Sequence, residues 1–366
     1  MPTFRENTLI DKENAHINLI VGRRSNGKTY PTLRDAVKDF IESDYTAQFV
    51  YVRRIDKDFQ GFKGQQVFAG MVTNGWLEEY SKGAWNDIYY YHGQWFLRLK
   101  SDDGKVKRKS PPMCFAVSLN LAHQYKSINF DSVKKIIFDE FLCAKGERPL
   151  ANEWNRWNNL ISTIARMRDD VKIYMLANTV TKNSDFFSKY GFDIDTIEQG
   201  SIVVKTNKSG RKVALEYCKD RGSVDAVKSI YIDDDGDDEM KMITEGAWET
   251  GSFPIIPRKY RKYKELLVTE PVFFNIRNRY YECDIIKVQD MCMLYFHKKT
   301  GVPKYRTDIV YSHDEDPELI DSYFYRVGLN AQFKVDSLIA TLIKRDRAYY
   351  QDNATGQDIH DFLKAN

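Results

Sequence analysis

Apolar residues in this chain fall into two kinds of pattern. Short, mostly apolar runs, rich in β-branched and aromatic residues, occur at Ile17–Val21, Ala47–Val52, Met113–Leu119, Val133–Phe138 and Val171–Ala177. Each reads as a strand buried on both faces. Stripes at three- and four-residue spacing lie between them: Leu33, Val37, Phe40 and Ile41, and then Trp154, Trp157, Ile161 and Ile164 within a helix expected over Glu153–Met167. Buried strands alternating with amphipathic helices predict an α/β domain built on a mostly parallel sheet. Residues 55–111 interrupt this rhythm and read as an insertion, with a hairpin over Tyr89–Leu97 turning at His92-Gly93. A second hairpin is expected from Ser201–Thr206 and Lys212–Cys218 across Asn207–Gly210. Residues 1–16 are polar and are expected on the surface.

The pattern changes past residue 220. Asp233–Glu239 is a like-charge run, read as a solvated linker. It fails the spacing of a calcium loop, since Gly236 would put Tyr231 at the first ligand position. Three strand-like runs follow, Val272–Ile276, Tyr280–Ile286 and Met291–Phe296, then a helix over 334–349 around Leu338, Ile339, Leu342 and Ile343. Three antiparallel strands leading into helices are the opening of an RNase H-like fold, an order that many other α+β domains share. A two-metal nuclease of that kind needs a carboxylate in its first strand, and Asn275 stands there, with Asp284 on the second. The domain is therefore read as non-catalytic. The expected division is 1–220, a linker over 221–249, and 250–366.

Composition narrows the function classes. A net charge of +3 in 366 residues confines any nucleic-acid surface to a local patch. The five cysteines, at 114, 143, 218, 283 and 292, form no C-x-x-C pair and are odd in number, which favours reduced thiols over a disulfide frame or zinc site. The six histidines are isolated. No apolar run reaches the length of a membrane span, and the start of the chain does not read as a signal peptide.

Candidate chemistry centres on the loop after the first strand. Gly22-Arg23-Arg24-Ser25-Asn26-Gly27-Lys28-Thr29 matches G-x-x-x-x-G-K-[ST], the P-loop. Its glycines allow a tight backbone whose N–H groups surround phosphate oxygens. Lys28 reaches the β/γ-phosphates and Thr29 offers a hydroxyl to Mg²⁺. Pro31 suits the first turn of the helix that should follow. The run Ile136-Ile137-Phe138 ends in Asp139-Glu140, the Walker B pattern. Asp139 would hold the Mg²⁺, and Glu140 suits the base that activates the attacking water. A glutamate in that place is similar to the P-loop branch with an additional strand between the P-loop and Walker B strands, with Phe49–Val52 and Met113–Leu119 as candidates for inserted or flanking strands.

Other candidates rest on position. Arg53 and Arg54 leave the carboxyl end of a strand, where ligands of parallel sheets bind, with solvated strand-end charges as the alternative on position alone. Asn178 ends the strand beside Walker B and could sense a γ-phosphate through water. Arg166 falls opposite the buried stripe of its helix, as an arginine serving a neighbouring molecule requires, and Arg168 falls on the buried side if the helix continues. Lys105, Lys107 and Arg108 form a basic loop, and Arg258, Arg261 and Lys262 alternate with tyrosines. Both are candidate nucleic-acid contacts, with a solvated basic surface as the plain alternative.

Together, Gly22–Thr29, Phe49–Arg54, Ile136–Phe141, Arg166-x-Arg168 and Leu176–Asn178 resemble the DNA encapsidation ATPases of small tailed bacteriophages, of the Picovirinae type, relatives of large terminases. The resemblance covers about residues 15–205. It implies ATP and Mg²⁺ as cofactors and a homopentameric ring docked at the portal of an empty prohead, pumping double-stranded DNA inward. It also implies a structural RNA beneath the ring in some members, and residence in the host cytoplasm rather than in the mature virion. By the same resemblance Arg166 is a trans-acting finger, Lys126 a lysine acting between subunits, and Arg53 an arginine flanking the nucleotide. The longer 55–111 segment and the acidic linker depart from the pattern. The alternatives are a terminase cutting DNA with Asp284 and acids near Asp308 or Asp336, another P-loop DNA motor or helicase, a nucleic-acid- or portal-binding module, or a small-metabolite phosphotransferase.

Overall fold

The structure is a computed structural model. It describes residues 5–24, 26–144, 147, 149–182, 184–207, 210–219, 248, 252–260, 267–277, 279–312, 321–327 and 337–364. The chain divides into two compact units, Met1–Trp248 and Glu249–Asn366. Of the linker expected over 221–249, only Trp248 is described, and it packs edge-on to Phe187 and tilted against Tyr217 in the first unit.

The strands of the first unit are β1 (Ile17–Gly22), β2 (Gln48–Arg53), β3 (Asp87–Tyr91), β4 (Gln94–Lys100), β5 (Val106–Lys109), β6 (Cys114–Ser118), β7 (Val133–Asp139), β8 (Lys172–Asn178), β9 (Ile202–Thr206) and β10 (Lys212–Tyr217). They form one sheet in the order β3-β4-β6-β2-β7-β8-β1-β10-β9, with β5 beside β4. The path from β6 to β10 is parallel throughout. The strand between β1 and β7 is β8. β2 and β6 lie on the far side of β7, so of the two positions expected for them they take the flanking one. The second hairpin is not a local ornament, because β10 pairs in parallel with β1, Ile17 opposite Val213.

Both faces of this sheet are covered. The helices are α1 (Thr8–Lys12), α2 (Thr29–Glu42), α3 (Lys63–Gln66), α4 (Ala69–Thr73), α5 (Trp76–Tyr80), α6 (Glu153–Ala165) and α7 (Asp185–Lys189). Leu33, Ala36, Val37 and Phe40 of α2 pack on one face with Ile20 and Ile137. Trp157, Leu160 and Ile164 of α6 pack on the other with Leu19, Val21, Ile136 and Phe138. Successive strand residues thus serve opposite faces, which is why these strands read as mostly apolar runs. The insertion adds its own aromatic layer, where Trp95 meets Tyr51, Phe59 and Phe68 edge-on at centroid distances of 6.1, 5.9 and 5.3 Å. Residues 1–16 are not simply surface. Ile10 and Ala15 enter the core, and buried Arg5 reaches Glu216 of β10 with Nε at 3.0 Å.

The second unit has a sheet of β11 (Val272–Ile276), β12 (Arg279–Val288), β13 (Met291–Lys299), β14 (Ile309–Ser312), β15 (Phe324–Val327) and β16 (Ala348–Tyr350), in the order β15-β14-β11-β12-β13-β16. β11, β12 and β13 form an antiparallel meander, while β14 pairs in parallel with β11, and β15 with β14. Helices α8 (Ser337–Lys344) and α9 (Asn353–Lys364) cover one face around Phe274, Tyr281 and Phe296. The helix expected over 334–349 ends at Lys344, and 348–350 turn instead into β16 alongside β13. All five cysteines are free. Among the described residues, no helix is long and apolar enough to cross a membrane.

Candidate nucleotide site

The first strand delivers its loop to the carboxyl edge of the sheet. Gly22, the last residue of β1, is required by close approach, since a Cβ there would lie 2.7 Å from the Cβ of Cys218 just past β10. Gly27 is required by conformation, at φ +72°. Helix α2 then begins at Thr29, with Pro31 in its first turn. Its N-terminus faces the space where an anion would sit. Arg24, Gly27, Lys28, Thr29, Tyr30, Asp139, Glu140, Ala177 and Asn178 line one open cleft there.

Lys28 is buried and folds over its own loop. Its Nζ donates to the carbonyls of Gly22 and Arg23 at 3.0 and 2.6 Å and to Asn178 Oδ1 at 3.0 Å. Burial lowers its pKa to about 8, against the pull of Asp139. Asn178 therefore touches the P-loop lysine directly. Thr29 Oγ1 lies 3.2 and 3.3 Å from the two carboxylate oxygens of Asp139. A hydroxyl and a carboxylate so placed form the donor pair that a hard cation such as Mg²⁺ takes. Asp139 also accepts from the buried Tyr51 hydroxyl at 2.7 Å and from Arg53 Nη1 at 3.5 Å. Burial, then the charge of Asp139, raises the Tyr51 pKa far above its ordinary value, so this phenol remains a neutral donor.

Glu140 follows in a left-handed backbone conformation, φ +58°. That costs a non-glycine residue about 1–2 kcal/mol and turns its carboxylate out of the sheet, more than half exposed. There it pairs with Arg53 Nη2. Arg54 lies on the other side of the same turn, buried, with Nε 2.6 Å from Glu153 Oε1. Arg53 and Arg54 are thus both engaged at the ligand edge, and neither is a solvated strand-end charge. Position at the strand end marks both arginines in the sequence, but only the structure separates their parts: Arg53 reaches carboxylates and Arg54 reaches backbone carbonyls.

Other candidates fall less close. Arg24 lines the cleft and is exposed. The Arg23 side chain is buried, and Asn26 is buried with its amide donating to the Lys219 carbonyl at 3.2 Å, anchoring the loop against the end of β10. Ser25 lies outside the described residues. Lys126 is exposed in a 3₁₀ stretch over Leu119–Ser127. Arg166 does not lie on a helical face, because α6 ends at Ala165 and Arg166 and Met167 both adopt positive φ, +44° and +67°. The turn, not the helical wheel, leaves it 45% exposed, with Nη2 3.1 Å from the Ile128 carbonyl. Arg168 takes the structural part, donating to the carbonyls of Phe130, Asp131, Val133, Ile164 and Ala165.

The basic loop resolves into strand β5, which paired with β4 instead of standing free. Arg108 stacks over Trp85 at 4.1 Å and donates to the Ala84 carbonyl, so it supports the insertion's own fold. Lys105 pairs with Asp103, and Lys107 is exposed. Arg258 is exposed in a 3₁₀ turn, and Arg261 and Lys262 lie outside the described residues. In the second unit Asn275 is buried, and the register sets Ser312 of β14 beside it. His297 is not isolated: its Nε2 lies 2.8 Å from Asp284, and Glu282, Asp284 and His297 bring possible ligand atoms within 4.8 Å of one another, with Lys299 Nζ 3.0 Å from Glu282. Asp308 closes a turn by accepting from the Tyr305 N–H, and Asp336 is outside the described residues.

Fold and cleft together define a mixed α/β-sheet protein with a phosphate-type loop, a carboxylate pair and two arginines at one sheet edge. No family model matches the chain. It is 27% identical over 176 residues to the DNA packaging protein of Bacillus phage B103, covering 48% of each chain, and 26% identical over 172 residues to that of Bacillus phage phi29, covering 47% of this chain and 45% of the relative. The chain thus spans about half the length of the curated relatives it matches. Across 100% of this chain and 98% of the other, it superposes on the Phi-28 gp11 DNA packaging motor with a TM-score of 0.57 at 17% identity. At that identity the structural likeness is one of fold.

Proposed function

We propose that this chain is an ATP-driven translocase that packages double-stranded DNA into a preformed prohead, hydrolysing ATP between subunits of a homomeric ring. The observation that carries the proposal is the meeting of Thr29 with Asp139, beside Glu140 and below Lys28, in one open cleft. Lys28 and the loop amides would hold the phosphates, Thr29 and Asp139 the Mg²⁺, and the metal would neutralise charge between phosphate oxygens. Glu140 would orient and deprotonate water. The position of β8 between β1 and β7 supports the additional-strand P-loop class. The likeness to packaging proteins supports DNA as the cargo, and the exposed Arg166 is free of the cleft of its own subunit in the way a finger for the next one must be.

On the same reading the ring is pentameric and docks at a portal, with a structural RNA as a further partner, in the host cytoplasm. The second unit is a non-cleaving RNase H-like domain. Its meander supports that class, and the Asn275–Ser312 pair, where a first-strand acid is needed, supports the loss of cleavage. The test is Glu140→Gln. It should bind ATP yet abolish hydrolysis and packaging, and unchanged turnover would remove Glu140 from the mechanism. Mixing Arg166→Ala with Glu140→Gln subunits tests action in trans: recovery of ATPase in mixed rings is expected, and none at any ratio counts against it.

A further inference from the structure

The carbonyls of Glu140 and Phe141 belong to the turn that leaves β7, past the last pairing of that strand with β8 at Asp139 and Leu176. They find their donor in one buried side chain. Arg54 Nη1 lies 3.1 Å from the Glu140 carbonyl and Nη2 lies 2.6 Å from that of Phe141. The third nitrogen, Nε, is held by Glu153, the first residue of α6. The Arg54 carbonyl is itself fixed by the N–H of Asn120 at 3.0 Å. A planar fork with five fixed donors spans two successive carbonyls, which a lysine ammonium cannot do.

We infer that Arg54 is a positioning residue for hydrolysis: it holds the turn that keeps Glu140 in its left-handed conformation and so aims the carboxylate at the water site. Its side-chain hydrogen bonds go to the Glu140 and Phe141 carbonyls and to Glu153, not to Thr29 or Asp139. Its neighbour Arg53 grips the Glu140 carboxylate, so consecutive arginines at the end of β2 fix the two ends of one glutamate. The inference rests on Glu140 being the base. A group that acts only through Glu140 should change the rate of the chemical step, leave nucleotide binding alone, and have no effect once the carboxylate is gone.

The experiment measures ATP affinity, steady-state ATPase and thermal unfolding on the full chain for Arg54→Lys, Glu140→Gln and the double variant. Arg54→Lys should lower kcat at least tenfold with ATP affinity within about twofold, and the double variant should bind ATP as tightly as Glu140→Gln alone. A folded Arg54→Lys protein with wild-type kcat overturns the inference, as does an equal fall in affinity and kcat or weaker ATP binding in the double variant than in Glu140→Gln. Should Arg54→Lys not fold, Glu153→Gln takes its place: it loosens the Nε anchor but keeps an acceptor, and a smaller fall in kcat is expected, with wild-type kcat again overturning the inference. Full turnover in Glu140→Gln would instead remove Glu140 as the base, the reading on which this inference rests, so the two failures are distinguishable.

Discussion

Lys28 Nζ donates to Asn178 Oδ1 at 3.0 Å across the mouth of the cleft, while two carbonyls of its own loop take its other hydrogens. The lysine is satisfied without phosphate, but its burial lowers its pKa from 10.5 to about 8. Above that pH the free protein has a neutral Lys28, and a bound phosphate restores the charge by taking up a proton. ATP affinity should therefore fall by up to about tenfold per pH unit above 8. Calorimetry in buffers of different ionisation heat should show proton uptake. The Lys28→Arg variant, which does not titrate there, should be flat. The sign for folding is opposite. Between pH 8 and 10.5 the unfolded chain holds the extra proton, so stability of the ligand-free protein rises with pH over that window.

The first glycine of the loop gives a geometric test. Gly22→Ala would place a Cβ 2.7 Å from the Cys218 Cβ and 3.2 Å from its Sγ, and the loop or the end of β10 must shift. Loss of nucleotide affinity by at least tenfold is expected, since a shift of about 1 Å at a site costs that much. Adding Cys218→Gly should recover part of it and Cys218→Ala none, because alanine keeps the offending Cβ. Equilibrium binding of a fluorescent ATP analogue reads all three.

Much of this site was legible because its residues are neighbours in sequence or sit at strand ends. Ile17–Val21 running into a G-x-x-x-x-G-K-T loop specifies strand, turn and helix at once, and Asp139-Glu140 closes a buried run. What was not legible depends on distant pairing or on single backbone angles. Nothing near residue 213 says that it pairs with Ile17, and nothing near 172 says that its strand intervenes between β1 and β7. Arg166 takes φ +44° without the glycine or asparagine that marks such a position, so the helix was drawn two residues too long. The apolar stripe through Leu342 and Ile343 concealed β16, whose partner lies some fifty residues upstream. Arg54 and Arg168 act on carbonyls, and carbonyls have no residue identity to read.

The two arginines after α6 should separate stability from function. Arg168 satisfies five carbonyls from two segments. Removing it takes the side-chain donor from the Asp131, Val133 and Ile164 carbonyls, while those of Phe130 and Ala165 keep the backbone N–H groups of Val133 and Arg168, and Arg168→Ala should destabilise the first unit by about 1–3 kcal/mol. Arg166 makes one backbone hydrogen bond at 3.1 Å and a long pair with Asp131 at 3.8 Å, both partly solvated. Arg166→Ala should change stability by less than about 0.5 kcal/mol while removing ATPase from assembled rings. Urea unfolding alongside ATPase checks both. A large stability loss in Arg166→Ala would mean that its turn, not a neighbouring subunit, is what it serves.

Burial of His297 opposes its protonation, but the hydrogen bond to Asp284 at 2.8 Å and the charge of that carboxylate outweigh it, and its pKa is raised above 6.5. A histidine bound more tightly by its proton in the folded state stabilises that state below pH 6.5, and the gain is lost as pH rises through the folded value. Asp284→Asn keeps the shape, removes the charge and leaves the burial. The His297 ring proton, followed by NMR through a pH titration, should report a pKa above 6.5 in the native protein and a lower one in Asp284→Asn, where Glu282 and the Lys298 carbonyl still favour the proton. An unchanged pKa in Asp284→Asn would show that Asp284 is not the group holding the proton and would assign it to Glu282 and the Lys298 carbonyl.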